Sequence, residues 1–176
     1  MKKRENPKGQ TKRPTGKETL PVRKTESIFD EIDKMHERIM HRAHDIFLAN
    51  GGVFGKDLEN WLSAERELVW KPAMELREKG NEFLLTIAVP GIEAKDLDIE
   101  VTADNLLVKG EHHNRKEKKG KVYACEFESG SLFLAVHFPK KIDPDKVKAE
   151  FKNGMLRVTA PITAKQRTKR VKIGNA

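Results

Sequence analysis

The spacing of apolar residues changes from helical to strand-like near Trp70, and no other feature of the sequence constrains the fold as strongly. Before this point apolar side chains recur every three or four residues, which places them on one side of an α-helix. After it apolar and polar residues alternate, as in strands with one buried face. A domain boundary is therefore expected at about residue 70.

The alternating runs after this boundary predict short strands. In residues 97–102 every second residue is aliphatic and the others are polar. Turn residues such as Asn153 and Gly154 separate the runs. Further runs occupy residues 83–89, 132–138, 147–151 and 156–158. Because no helical segment lies between them, we expect an all-β fold, an antiparallel immunoglobulin-like β-sandwich, over residues 70–162.

Residues 25–69 are expected to form an amphipathic helical region. Apolar residues between positions 28 and 47 fall on one side of a helix that Ser27 can cap and that Gly51 and Gly52 can end. A shorter helix follows, with Asp57 as its candidate cap. These helices either pack internally or present an adhesive face, rich in Met and aromatic groups, to other proteins. The pattern alone favours neither alternative.

The positive charge is concentrated at the N-terminus. The net charge is +8, and residues 1–24 hold nine Lys or Arg against two Glu. This segment also contains three Pro and almost no apolar residues, so we expect residues 1–24 to be a disordered basic tail. Nucleic-acid binding by the tail is not favoured, because it has no aromatic residue on which a base could stack.

Composition argues against several classes of protein. The longest apolar run, residues 132–136, is far shorter than the roughly 18 residues of a membrane span, and no secretory signal follows the N-terminus. Cys125 is the single cysteine, which excludes an intrachain disulfide and fits the cytoplasm.

Motifs of catalysis are also missing from the sequence. No nucleophile elbow, phosphate loop or zinc-protease motif occurs. His41 and His44 are three residues apart, but no third ligand is placed to complete a metal site. We therefore expect no enzymatic activity, no metal, no cofactor and no small-molecule substrate.

Four motifs in the second half of the chain carry a family resemblance. They are Pro90-Gly91-Ile92 followed by Asp96-Leu97, then Leu107-Val108-Lys109-Gly110-Glu111, then Gly130 with Pro139 nine residues later, and Ala149-Glu150-Phe151-Lys152-Asn153-Gly154-Met155-Leu156. In order and spacing they resemble the alpha-crystallin domain of small heat-shock proteins of the bacterial type. The resemblance implies a β-sandwich, ATP-independent holding of unfolding proteins, and dimers that assemble into larger homo-oligomers.

The resemblance also implies two surfaces for self-association. Bacterial members pair by exchanging a strand of a long loop, which here would be Val122, Tyr123, Ala124, Cys125, Glu126 and Phe127. The C-terminal extension, residues 163–176, carries Val171-Lys172-Ile173, which looks like the family's Ile/Val-x-Ile/Val motif. In the family this motif binds a neighbour's groove, whose residues here would be Leu97, Ile99, Val101, Val147, Ala149 and Phe151.

The chain departs from the family in places. Leu132-Phe133-Leu134 stands where the family usually has Phe-x-Arg, so any ionic contact of that arginine at the dimer interface is absent. Ile162 replaces a lysine that often follows the late proline. Residues 46–65 also resemble a short bacterial helical module of unknown function.

The leading functional hypothesis is a holdase chaperone with two kinds of partner, partly unfolded client proteins and further copies of itself. Clients are expected to bind the apolar helical residues Ile28, Phe29, Ile32, Met35, Ile39, Met40, Ile46 and Phe47. One alternative is a co-chaperone or adaptor with a related β-sandwich. Such a protein would not need the self-assembly motif Val171-Lys172-Ile173, so the presence of this motif counts against it. The other is nucleic-acid association through the basic tail. No membrane partner is expected.

Overall fold

The computed structural model describes residues 16–111, 121, 123 and 130–163. Two helices, α1 (Phe29–Ala49) and α2 (Asp57–Leu68), lie in the N-terminal part. The strands are β1 (Glu18–Leu20), β2 (Arg23–Lys24), β3 (Val69–Trp70), β4 (Met74–Lys79), β5 (Glu82–Ala88), β6 (Leu97–Val101), β7 (Asn105–Gly110), β8 (Ser131–His137), β9 (Lys148–Lys152) and β10 (Met155–Pro161). The predicted fold class, a β-sandwich preceded by a helical region, is confirmed.

The strands form two five-stranded sheets. The first sheet has the order β1-β9-β10-β5-β4 and is antiparallel throughout. The second has the order β2-β6-β7-β8-β3, in which the short strands β2 and β3 pair in parallel and the others antiparallel. The two short strands at the edges of the second sheet are thus the exceptions to the expected antiparallel pattern.

The main core lies between the sheets. Alternate residues of β5 point into it, and Phe83 stacks on Phe138 with 5.4 Å between ring centroids. Asn153 and Gly154, with φ angles of 52° and 74°, form the turn between β9 and β10. Positive φ at both positions is what a two-residue hairpin turn needs, so the predicted Asn-Gly turn is confirmed.

The helices form a hairpin that packs on the outer face of the second sheet. Met35 and Ile39 of α1 are buried with Ala64 of α2, and Phe133 on the outward side of β8 packs against them. Leu107, between two core residues of β7, also faces outward, yet it is fully buried. The outer face of this sheet is therefore covered, and the internal-packing alternative holds for the inner side of the hairpin.

The disordered-tail prediction is wrong for the last part of residues 1–24. Glu18–Leu20 and Arg23–Lys24 form strands β1 and β2, and the backbone N–H of Thr25 donates to the carbonyl of Val101 at 2.9 Å. The physical reason is that Leu20 gains a place in the sandwich core, where it is 8% exposed. We call residues 17–25 the strap. Residues 1–15 lie outside the described part of the chain.

The helix ends differ slightly from the expected caps. α1 begins at Phe29, whose backbone N–H donates to the Ser27 hydroxyl at 3.1 Å, although Ile28 holds the cap position. Asp57 is the first residue of α2 rather than its cap. There its carboxylate stands near the positive end of the helix dipole.

Gly130, just before β8, lies against the backbone at the end of α2, and we predict that Gly130→Ala is strongly destabilising. Its φ is +111°, and a Cβ there would lie 2.7 Å from the backbone carbon of Leu68. Because the obstacle is backbone, we expect a loss of about 2–4 kcal/mol in the free energy of unfolding. Urea unfolding followed by tryptophan fluorescence measures it.

Gly80→Ala is the matched control for backbone strain alone. Gly80 has φ +63° and nothing within 4 Å of the added carbon, so its cost should stay near 1–2 kcal/mol. Equal losses in the two variants would contradict the close contact at Gly130.

Candidate protein-interaction surfaces

We call the space between β6 and β9, on one side of the sandwich, the groove. These strands belong to different sheets, but their partners β1 and β2 are separated only by Pro21 and Val22, so the two edges lie on the same side. The six residues that the sequence singled out lie on β6, on β9 or directly before β9. Leu97, Ile99, Val101 and Ala149 are buried, whereas Val147 and Phe151 are partly buried against the same core.

The strap of the same chain occupies this groove. Leu20 pairs with Ala149 of β9, and Arg23 pairs with Glu100 of β6. Val22, between the two strands, is partly buried against the core. Two aliphatic side chains of the N-terminal segment therefore fill the space between the sheets at this edge.

Ion pairs attach the strap to an acidic rim around the groove. The guanidinium of Arg23 donates to Asp98 at 2.6 Å and to Glu100 at 2.7 Å, and the hydrogen bond with Asp98 is the main cause that raises the pKa of Arg23. Lys24 contacts Asp145 at 2.8 Å. Lys17 contacts Glu150 of β9 at 2.5 Å. Cations of the strap thus meet carboxylates on both sides of the groove.

Lys109 connects the hairpin to the same acidic residues. Its Nζ lies 2.8 Å from Glu31 of α1, 2.9 Å from Glu100 and 3.4 Å from Asp98. Partial burial alone would lower the pKa of Lys109, but its hydrogen bonds to Glu31 and Glu100 outweigh this and raise the pKa. Hydrogen bonds from Lys109 and then Lys34 lower the pKa of Glu31 to about 2.

A cleft of about 380 Å³ lies beside this network, between α1 and the second sheet. Its lining includes Glu31, Lys34, Asp98 and Lys109, and these charges are paired with one another. The cleft is therefore part of the contact between the hairpin and the sandwich.

The eight predicted client-binding residues do not share one environment. Ile28, Met35 and Ile39 are buried, with exposed fractions of 2%, 7% and 6%. Phe29 and Met40 are exposed, at 63% and 50%. Ile32, Ile46 and Phe47 are intermediate. The apolar side of α1 is therefore divided between contact with the protein and contact with solvent.

The predicted client-binding set left out four exposed apolar residues at the end of the hairpin where α1 connects to α2. We call Leu48, Val53, Phe54 and Leu58 the hairpin tip; their exposed fractions are 58%, 50%, 87% and 71%. The Phe54 ring lies 5.6 Å from that of Phe47, which links the tip to α1. The available signal was Val53-Phe54 between glycines, since large apolar residues are unusual in a short polar turn.

Part of the predicted assembly residues lies outside the described chain. This applies to Val122, Ala124, Cys125, Glu126 and Phe127 of the proposed exchanged strand, and to Val171 and Ile173. Tyr123 is described and is 87% exposed. Strand β4 ends its sheet and, within the described residues, has no strand on its outer side.

The histidines singled out for metal binding are both exposed on α1. Across the described residues, no three His, Cys, Asp or Glu side chains converge as a metal site needs. Of the helices in this same part of the chain, none is long and apolar enough to cross a bilayer.

The low pKa of Glu31 predicts a pH-dependent contribution to stability. Its pKa is about 2 in the folded chain against an ordinary 4.5, so the stabilisation is complete above about pH 4.5 and is lost as the pH falls toward 2. Wild type should therefore lose about 1 kcal/mol more of its unfolding free energy than Glu31→Gln between pH 5 and pH 2. Urea unfolding at each pH measures this difference.

Glu37→Gln is the control, because Glu37 is exposed on the same helix. Its pH profile should follow that of wild type. Parallel profiles for wild type and Glu31→Gln would show that the ion pair does not help to fix the hairpin.

Comparisons with known proteins cover both parts of the chain. Residues 75–174 match the Hsp20/alpha crystallin family. Residues 34–69, most of the hairpin, match a family described as a protein of unknown function, DUF2934. The second match agrees with the resemblance of residues 46–65 to a helical module of unknown function.

Relatives and solved structures agree with the first match. The chain is 32% identical to Spore protein SP21 of Stigmatella aurantiaca over 60% of its own length and 63% of that relative, so it spans less than two thirds of that protein. It is 30% identical to Small heat shock protein C2 of Rickettsia felis over 63% of this chain and 71% of the relative.

Two solved structures share the fold with a TM-score of 0.50. Heat shock protein 16.0 from Schizosaccharomyces pombe is 27% identical, and the match covers 60% of this chain and 99% of that one. A small heat-shock protein from Xylella fastidiosa is 26% identical over 60% of this chain and 98% of that one. Since the family match runs from residue 75 to residue 174 and includes strands β5 to β10, the chain belongs to the Hsp20/alpha crystallin family.

Proposed function

We propose that this chain is an ATP-independent holdase chaperone of the cytoplasm that binds partly unfolded proteins and suppresses their aggregation. Membership in a family of small heat-shock proteins supports this function. Unfolding proteins present mixed apolar surface, which no shaped pocket can anticipate. An exposed and adaptable apolar surface meets this requirement, since the hydrophobic effect is non-directional.

The observation that carries the proposal is the hairpin tip. Phe54 and Leu58 are 87% and 71% exposed, and Leu48 and Val53 stand beside them. Burial of apolar area contributes about 25 cal/mol per Å², so this group can bind a client without any nucleotide. The tip extends the predicted client surface beyond Phe29 and Met40, the exposed members of the α1 set.

The buried side of α1 forms a second, conditional client surface. Ile28, Met35 and Ile39 are covered while the hairpin lies on the sandwich. The Lys109–Glu31 ion pair and the packing on Phe133 attach it there. Weakening of these contacts by heat releases the hairpin and adds the covered side chains to the tip.

We further propose that the chain assembles with itself through the two surfaces of the family. Residues 122–127 add to the outer edge of β4 in a partner, which supplies backbone partners to both strands. Val171 and Ile173 bind the groove of a neighbouring copy. The Xylella fastidiosa relative is described as having a distinct high order structure, which supports assembly here.

We predict that Phe54→Ser combined with Leu58→Ser weakens holdase activity. Both side chains are mostly exposed, so the double variant should keep its fold while it loses much of the tip's apolar area. Light scattering of a heated model substrate should show that about twice as much or more of the variant is needed for the same protection, since the loss of two apolar contacts reduces affinity severalfold.

The control is Asp33→Ser combined with Glu37→Ser, which changes two exposed polar residues of the same hairpin and removes no apolar surface. Its protection should equal that of wild type. Circular dichroism and the midpoint of urea unfolding verify that all variants are folded. Undiminished protection by a folded Phe54→Ser/Leu58→Ser variant would contradict client binding at the tip.

A further inference from the structure

We propose that the strap is a built-in competitor for the assembly groove. Leu20-Pro21-Val22 of each chain occupies the place that Val171-Lys172-Ile173 of a second copy takes, so assembly requires release of the strap. This inference rests on the assembly part of the proposed function. It adds a regulatory contact within the chain. The strap already pairs with β9 on one edge of the groove and with β6 on the other.

The two segments offer the groove the same chemistry. Each has two aliphatic residues separated by one position, and in an extended chain side chains two apart share a face. Each also has cations beside or between these residues. They are Lys17, Arg23 and Lys24 for the strap, and Lys169, Arg170 and Lys172 for the C-terminal segment.

The rim of the groove matches both segments in charge. Asp98 and Glu100 lie on β6, Asp145 lies in the turn just before β9, and Glu150 lies on β9. The strap cations use these carboxylates. A second basic segment needs the same carboxylates. The two segments therefore cannot bind at the same time, because they compete both for the space in the groove and for its carboxylates.

The strap is attached in a way that permits release. Its strands are three and two residues long, so few backbone hydrogen bonds hold it. The side chains of Lys17, Arg23 and Lys24 in its ion pairs are 58%, 61% and 57% exposed. Exposed ion pairs are weak and are screened by salt. The strap therefore exchanges between docked and released states, and higher ionic strength shifts it toward release.

The test measures binding of a fluorescent peptide with the sequence of residues 165–176 to the full chain. The host carries Val171→Ala and Ile173→Ala, so that its own C-terminal motif does not fill the groove. A second host adds Leu20→Ser and Val22→Ser. When the strap fills the groove part of the time, the apparent Kd of the peptide equals its intrinsic Kd divided by the fraction of chains whose groove is free. The second host should therefore bind at least about tenfold more tightly.

Two controls separate competition from a change in fold. Thr19→Ser alters an exposed strap residue, keeps both aliphatic side chains, and should leave the Kd of the first host unchanged. An unlabelled peptide of residues 16–25 should displace the labelled peptide from the second host. Serine at both aliphatic positions of that peptide should abolish displacement. Circular dichroism verifies the fold of each host.

The outcomes distinguish the two proposals. Equal Kd values for the two folded hosts, with no displacement by the strap peptide, overturn competition and leave the groove as the receptor of the C-terminal motif. No peptide binding to either folded host overturns the assembly role of Val171 and Ile173, and competition with it. Tighter binding to the second host together with displacement supports both.

Discussion

The ammonium group of Lys109 lies where the sandwich, the helical hairpin and the strap meet. It contacts Glu31 of α1 and the β6 carboxylates Glu100 and Asp98. Arg23 of the strap shares both β6 carboxylates. Glu100 is only 8% exposed, and a carboxylate in such a position is costly unless cations surround it. The arrangement on this face therefore depends on Lys109 and Arg23 both being in place.

This network holds two covers over the sandwich. The strap covers the groove between β6 and β9, while the hairpin covers the outer face of the second sheet through Met35, Ile39 and Phe133. Lys109 binds Glu31 of the hairpin and also the two β6 carboxylates that Arg23 of the strap uses. Release of one cover therefore leaves the other with an altered set of partners. Under the proposed function, this links exposure of the proposed helical client surface to availability of the proposed assembly groove, without any nucleotide.

The sequence predicted the sandwich well because its core strands are buried on one side. Apolar and other residues alternate over residues 83–89, 97–101 and 132–138, and the apolar positions of this alternation are the ones that pack in the core. Strand β4 could not be found this way, since five of its six residues are exposed and its apolar alternation is limited to Met74 and Leu76. The helices were predicted from periodicity, but periodicity does not reveal how much of an apolar side is covered. Met35 and Phe29 therefore looked equivalent.

The strap was missed for a related reason. Its composition is that of a solvated tail, and only Leu20 and Val22 distinguish it from the residues before it. Two aliphatic side chains gain enough from burial only when a preformed groove is available, and the groove joins residues that are far apart in the chain. The hairpin tip was missed because Val53 and Phe54 belong to a connection, where no periodic pattern applies.

Hydrogen exchange followed by mass spectrometry on wild type and Lys109→Met tests the coupling of the two covers most directly. The account predicts that amides of both residues 17–25 and Phe29–Ala49 exchange at least about tenfold faster in the variant, which corresponds to about 1.4 kcal/mol of lost docking energy. Amides of β10, which lie in the other sheet, should be unchanged. Unchanged exchange in both the strap and α1 would contradict the account.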